Sequence, residues 1–224
     1  MAGLRTGGLK RYYDVNGWLF IAPALALISI FLVYPIIRSL VLSFYSGKGM
    51  MMRFAGFGNI ERLASDPVFL AALTNTVVFF VVQVPIMIML ALILASVLNN
   101  PDLRFKGFFR TAIFLPCVSS LVAYSVLFKS MFAVDGVVNS ALVALGLVEV
   151  PIPWLTDPFW AKVLIILALT WRWTGYNMIF YLAALQNIDK SIYEAARIDG
   201  VPSWGRFLYI TIPMLKPVIL FTTI

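Results

Sequence analysis

Long apolar runs with almost no charge recur along this chain, and nothing else constrains its fold so strongly. Gly17 to Phe44 is interrupted only by Pro23, Pro35 and Arg38, and Phe69 to Leu98 carries no charge at all. Runs from about Phe108 to Phe132 and from Phe159 to Leu185 follow, with Pro116 inside the first. About 20 apolar residues span the hydrocarbon of a bilayer as a helix. At that depth every backbone N–H and C=O must be paired internally, which leaves helices or closed barrels. The runs are continuous rather than alternating, so a barrel is excluded in favour of helices. Composition agrees: of 224 residues, 62% are hydrophobic and 12% charged, where a soluble domain carries about a quarter charged residues. The expected fold is all-α, a polytopic transmembrane helical bundle.

The segments between the runs define the organisation. Residues 1–16 form a short glycine-rich, basic tail, and a transmembrane domain is expected over 17–224. Its spans are expected at about 17–44, 69–98, 108–132, 159–185 and, in part, 207–224. Ala22-Pro23-Ala24 resembles a signal-peptidase site, but apolar residues continue well beyond it, so the first run reads as an uncleaved span. Ser46 to Pro67 is a loop with glycines at 47, 49, 56 and 58. Asn99-Asn100-Pro101 is a strong helix stop. Ala133 to Pro158 is a longer loop. The last apolar stretch, Pro217 to Ile224, is eight residues. Either a fifth helix also uses Phe207 to Leu215 or the chain stops short of a full span, and the second is the expectation.

Charge supplies the orientation. With the N-terminus in the cytoplasm, ten basic residues between Arg5 and Lys216 lie inside, against Lys48, Arg53, Arg62, Lys129 and Lys162 outside. That is the positive-inside bias. The net charge of +7 is spread over several loops, which argues against a nucleic-acid patch. The chain has no histidine and one cysteine, Cys117. No zinc site, imidazole base or internal disulfide follows from such a set, and no metal or cofactor is expected. There is no phosphate-binding glycine loop, so ATP is not bound by that route.

One polar insert, Ser191 to Pro217, then falls on the cytoplasmic side. Ser191 and Glu194 have the spacing of a capping box, and Ala195-Ala196 favour helix. Gly200 suits the left-handed residue that ends a short helix. Pro202-Ser203 can open a second one. The product is a helix–turn–helix with a small-residue face and a rim of Glu194, Arg197 and Asp199. Such a helix fits a groove on a partner or lies among headgroups.

This stretch closely resembles the EAA motif of ABC-importer permeases: Glu-Ala-Ala, three residues, Gly, nine residues, Ile-x-Leu-Pro. Glu194, Ala195, Ala196 and Gly200 match, and nine residues later come Ile210, Thr211, Ile212 and Pro213, with Ile212 in place of Leu. Phe108-Phe109-Arg110-Thr111, Phe114-Leu115-Pro116, and Tyr176-Asn177-Met178 running into Leu185-Gln186-Asn187-Ile188 look like carbohydrate-uptake permeases. Ala22-Pro23-Ala24 and Tyr34-Pro35-Ile36 point to the maltose and glycerol-phosphate type. The run from Phe109 to Ile219 is similar to lactose-type permeases. The resemblance implies a type I importer permease of the bacterial inner membrane, multi-pass, with about five of an expected six spans present. It implies that residues 186–213 are a coupling loop, with Glu194, Ala195, Ala196, Arg197, Asp199 and Gly200 transmitting closure of the ATPase. It also implies a second homologous permease, two ATP-binding subunits, an extracytoplasmic binding protein and a sugar as partners, with the chain itself non-catalytic.

Polar and aromatic residues inside the spans are candidates for the substrate path. Arg172 sits near the middle of the fourth span, where a charge is costly and faces protein or water. It either lines the path or pairs with a polar group of the partner permease, or it snorkels or braces a helix contact. Trp173, Tyr176, Asn177 and Phe180 recur at three- and four-residue spacing and share one face. Aromatic rings and an amide suit a sugar, and equally suit packing or lipid contact. Gly175 permits close helix approach. Asn75, Thr76 and Gln83, with Ser119, Ser120, Tyr124 and Ser125, are expected to bond across helices. Two rival classes fit less well. A membrane-embedded transferase needs convergent acids or a metal site. A secondary transporter needs coupling carboxylates at mid-membrane, and no Asp or Glu lies inside a span.

Overall fold

A computed structural model describes residues 6–47 and 49–223. Arg5, Lys48 and Ile224, and the side chains of Lys10 and Arg11, lie outside the described residues. The chain divides into two compact units at Leu73.

In the first unit, helix continues from α1 (Thr6–Ile28) through a π-turn (Ser29–Val33) into α2 (Tyr34–Leu42). Helical structure therefore already covers much of the expected tail. The loop that follows is partly ordered. Strands β1 (Tyr45–Ser46) and β2 (Arg53–Phe54) pair antiparallel, with Tyr45 opposite Phe54. The Asn59 side chain, from α3 (Gly58–Ser65), donates to the carbonyls of Ser43 and Tyr45 at 2.9 and 2.8 Å.

Next in the chain comes α4 (Pro67–Val78), and in the second unit a π-turn (Phe79–Gln83) leads into α5 (Val84–Asn99). Helices α6 (Lys106–Val118), α7 (Leu121–Met131), α8 (Val137–Ala144) and the 29-residue α9 (Pro158–Gln186) follow. Then come α10 (Lys190–Ile198), α11 (Ser203–Arg206), a π-turn (Phe207–Thr211), α12 (Ile212–Met214) and α13 (Lys216–Thr223). Among the described residues, three helices are long and apolar enough to cross a membrane, or five if two bent pairs each count as one span.

Two long helices begin by one device. Asp66 and Asp157 each precede a proline, and each carboxylate accepts from the backbone two and three residues on, at 2.8 and 3.3 Å and at 2.9 Å twice. An acidic N-cap with proline at the first helical position satisfies orphan donors and needs no N–H from the proline. The starts thus fall at Pro67 and Pro158, ahead of the expected Phe69 and Phe159. Proline also explains the π-turns. Each ends two residues before one, at Pro35, Pro85 and Pro213. Proline cannot donate to the preceding turn, and widening that turn relieves the clash. The amide of Tyr34 reaches back to Ser29 and that of Ile212 to Phe207, five residues each.

The expected third span, 108–132, is two helices bent by 97° rather than one run. Ser119 and Ser120 are extended, with ψ 143° and 133°, just where Pro116 has weakened the ladder. Packing centres on α5 against α9. Ala91, Leu92, Ala95 and Leu98 meet Met178, Tyr181, Leu182 and Leu185, with Leu215 completing the cluster. Lipid tails remove the hydrophobic drive between helices, so small residues such as Ala91 and Ala95 matter because they let backbones approach. A second cluster joins Phe128 and Phe132 to Leu164, Tyr124 and Trp154.

The expected cross-helix bonding is only partly realised. Tyr124 donates to the Ala168 carbonyl, but Ser119 and Ser125 bond carbonyls of their own helices, and Gln83 turns to Met87 one turn away. Helical hydroxyls have the carbonyl four residues back within reach and take it. The long loop from Ala133 also holds more than a connection. Buried Asn139 on α8 donates to the carbonyls of Ala133, Val134 and Ile152 and accepts from the Ile152 amide and the Trp154 indole, all at 2.9–3.2 Å.

Candidate functional site

Two sets of residues can carry function: the short helix α10 with its turn, and a cavity beside α9. In α10 the cap is Asp189, whose carboxylate accepts from the Ser191 amide at 2.9 Å. Ser191, expected as the capping side chain, supplies a donor instead, because the helix starts at Lys190. The backbone bond from Ser191 favours the charged form and holds the Asp189 carboxyl below the usual carboxylate range. At the far end Gly200 has φ +72°. The Val201 amide bonds the Ala196 carbonyl at 2.9 Å and the Gly200 amide bonds Arg197 at 3.1 Å. This is the Schellman arrangement, and its left-handed position strongly favours glycine at 200.

The turn is then locked. Arg206 donates to the Val201 carbonyl at 2.7 Å and to the Ser203 hydroxyl at 3.0 Å. The Tyr193 hydroxyl lies 3.0 Å from that of buried Thr211, tying α10 to the π-turn ahead of α12. Ala196 is buried in this seam, whereas Glu194, Ala195, Arg197, Asp199 and Gly200 are exposed. Ile198 stands 87% exposed beside them. An apolar side chain that open, ringed by charges and by an alanine, suits contact with another surface.

The cavity, of about 370 Å³, is lined by Gln83, Met87, Trp173, Tyr176, Asn177, Phe221 and Thr222. Three of the five residues singled out on α9 line it, and Phe180 backs the wall. The rings of Trp173, Tyr176, Phe180 and Phe221 follow one another at centroid distances of 5.7, 4.9 and 6.0 Å. The amide nitrogen of Asn177 donates to the Trp173 carbonyl at 2.9 Å and to the Met87 sulfur at 3.4 Å. That of Gln83 reaches the same sulfur at 3.5 Å. A thioether is a weak acceptor, so both amides remain ready to donate to a better one. The Thr222 hydroxyl bonds Tyr181 at 2.6 Å.

Arg172 is not among the lining residues. Its guanidinium donates to the carbonyls of Pro116 and Ser119 at 3.2 Å and of Cys117 at 3.3 Å. Of the wall residues, Met87, Phe221 and Thr222 were not legible from sequence. Met and Phe are ordinary in an apolar run, and only folding brings positions 87, 173 and 221 together. Gln83 carried a signal, an amide in a charge-free span shared with Asn75, and Pro85 two residues on sets the π-turn that it ends.

Residues 66–224 match the family described as binding-protein-dependent transport system inner membrane component. Over all 224 residues the chain is 75% identical to the lactose transport system permease protein LacF of Rhizobium radiobacter, covering 75% of that protein. It is 34% identical to the arabinooligosaccharides transport system permease protein AraP of Bacillus subtilis, over 98% of this chain and 71% of the relative. Its fold is similar to a chain of a bacterial ABC transporter involved in the import of the acidic polysaccharide alginate, with TM-score 0.76, 27% identity, and coverage of 95% of this chain and 73% of that one. An exposed capped helix, a lined cavity between apolar helices and these likenesses converge, and the chain belongs to the binding-protein-dependent transport system inner membrane components, the permease subunits of ABC importers.

Proposed function

We propose that the chain is the non-catalytic permease subunit of an ATP-driven carbohydrate importer, and that lactose or another small oligosaccharide passes through the cavity on α9. The observation that carries this reading is the cavity wall. The rings of Trp173 and Tyr176 offer apolar contact to sugar C–H groups, and the Gln83 and Asn177 amides offer donors to hydroxyls. The LacF likeness supports a disaccharide. The N-terminus lies in the cytoplasm, which places residues 186–213 there as the coupling loop. Glu194, Ala195, Arg197, Asp199 and Gly200 face an ATP-hydrolysing subunit, with Ile198 filling a recess on it and Ala196 seating the helix on this chain. A second homologous permease, two such ATPase subunits and an extracytoplasmic sugar-binding protein complete the assembly. Support for the last comes from the solved alginate transporter in complex with an alginate pentasaccharide-bound periplasmic protein. ATP and the loaded binding protein must stabilise different arrangements of the spans for pumping to follow.

Uptake of labelled lactose by the assembled transporter in proteoliposomes tests the cavity. Trp173→Ala is expected to raise KM by about 10-fold, the loss of one good stacking contact. An unchanged KM would remove the cavity from the path. Glu194→Lys is expected to leave the chain inserted and abolish its co-purification with the ATPase. Normal assembly and uptake would end the coupling role.

A further inference from the structure

Arg172 holds the one charge deep in α9, and the path described above does not use it. Its partners are three backbone carbonyls and two rings, with no carboxylate among the described residues. The carbonyls belong to the end of α6 and the residue just past it. In an unbroken helix the Pro116 and Cys117 oxygens would accept from Ser120 and Leu121. The extended backbone at Ser119 and Ser120 takes those donors away. A helix end leaves its last carbonyls orphaned, and in a membrane no water replaces the lost donors. Arg172 supplies them from another helix, and its positive charge also suits the negative end of the α6 dipole.

The second arm of the break is held from the same side. The Tyr124 ring lies 5.4 Å from the guanidinium, and its hydroxyl bonds the carbonyl of Ala168, one turn before Arg172. Trp171 stacks on Tyr124 at 5.7 Å. On the other side of Arg172 the Trp173 ring centroid is 6.0 Å away, and Trp173 lines the cavity. A planar fork with five donors can join several oxygens and still lie against aromatic faces, which lysine cannot do.

We propose that Arg172 is a positioning residue, which clamps the open end of α6 to fix the bend between α6 and α7 and thereby sets the cavity wall at Trp173. The inference rests in part on the sugar reading of that cavity, but the clamp has its own readout. Cys117, the one cysteine of the chain, lies on the clamped turn and is half-buried. Alkylation by N-ethylmaleimide in the assembled transporter therefore reports whether that turn is held.

The experiment compares Arg172→Gln and Arg172→Lys with the parent. Arg172→Gln is expected to speed Cys117 alkylation by about 10-fold, the opening free energy lost with one charge-assisted bond. It is also expected to raise KM for labelled lactose several-fold, with the maximal rate within about twofold of the parent. Arg172→Lys keeps the charge without the fork and is expected to fall between the two. Co-purification with the partner subunits shows that each variant is folded. Alkylation and KM both unchanged in Arg172→Gln would overturn the proposal, as would Arg172→Lys behaving like the parent in both. Faster alkylation with lactose uptake indifferent to both Arg172→Gln and Trp173→Ala would keep the clamp and sink the sugar reading of the cavity.

Discussion

Gly175 on α9 faces the backbone of α6, and replacing it should separate the two helices by a calculable amount. A Cβ built at this position would lie 2.1 Å from the Ile113 oxygen, 2.8 Å from its carbonyl carbon and 3.1 Å from the Phe114 Cα. An ordinary carbon–oxygen approach is about 3.3 Å, so Gly175→Ala must push α6 away by roughly 1.2 Å. No rotamer change can absorb this, because all three atoms are backbone. Overpacking usually costs about 1–3 kcal/mol, and a rigid obstacle places this substitution near the upper end. The Arg172 bonds, already 3.2–3.3 Å long, would then pass beyond hydrogen-bond range, and the clamp would fail with the packing. For a chain of this size, 3 kcal/mol lowers Tm by about 6–12 °C. Thermal unfolding of the assembled transporter measures it, and Gly175→Val should be worse than Gly175→Ala. Gly107 is the internal control: it lies in the first turn of α6 with nothing within 4 Å of its built Cβ. Gly107→Ala should leave stability unchanged or raise it by up to about 1 kcal/mol. A Gly175→Ala chain with Tm within about 1 °C of the parent would refute the close approach and the reasoning built on it.

Three other sites give independent checks. Asn139→Ala leaves the Ile152 amide and the Trp154 indole without their acceptor, at about 1–3 kcal/mol for each buried group. Faster hydrogen exchange across residues 133–158 and a lower Tm should result, with Asn139→Asp as damaging because an oxygen then faces three carbonyls. Tyr193→Phe removes only the bond to Thr211, worth about 1 kcal/mol. Assembly with the ATPase should persist while ATP hydrolysis loses much of its stimulation by the loaded binding protein, and full stimulation would exclude this strut. The Asp189 carboxyl is held below its unfolded value. Its contribution to the start of α10 is therefore complete above the ordinary carboxylate range and lost only as pH falls through the lowered value. Exchange at Ser191 and Ile192, corrected for intrinsic rates, should stay constant from about pH 8 to about pH 5, in Asp189→Asn as in the parent. Asp189→Ala should exchange faster throughout.

The membrane-length helices were legible because a bilayer forces long apolar runs, and length alone separates them from core segments. What the runs conceal is their interruptions. Hydropathy passes smoothly through Pro116-Cys117-Val118-Ser119-Ser120, yet the chain turns by 97° there. Two serines after a proline are compatible with a kinked helix as much as with a broken one. The difference is made by Arg172, which lies 53 residues beyond Ser119 in sequence and supplies the donors that make the break affordable in lipid. The loop from Ala133 was opaque for a similar reason. Nothing local marks Asn139, and its five hydrogen bonds go to four residues, the farthest 15 positions away.

The short helix α10 and the cavity on α9 differ in what their sequence can say. Gly200 answers a local backbone requirement, φ +72°, and the alanines are strong helix formers, so the helix and its stop appear in a twenty-residue window. Even there, the cap was displaced by two residues, because aspartate and serine both precede the first apolar position and either can accept from the backbone. The cavity is assembled from α5 and the π-turn ahead of it, α9 and α13, and spacing on α9 alone gives one wall. That wall was read as a shared face of Trp173, Tyr176, Asn177 and Phe180, with Arg172 grouped beside it. A residue adjacent in sequence on a helix is turned by about 100°, and this turn separates the two roles. Trp173 faces the cavity while Arg172 reaches the carbonyls of α6. Neighbours on α9 thus join the bend between α6 and α7 to the wall of the cavity, and the proposed clamp predicts that a change in the bend alters the fit of whatever occupies it.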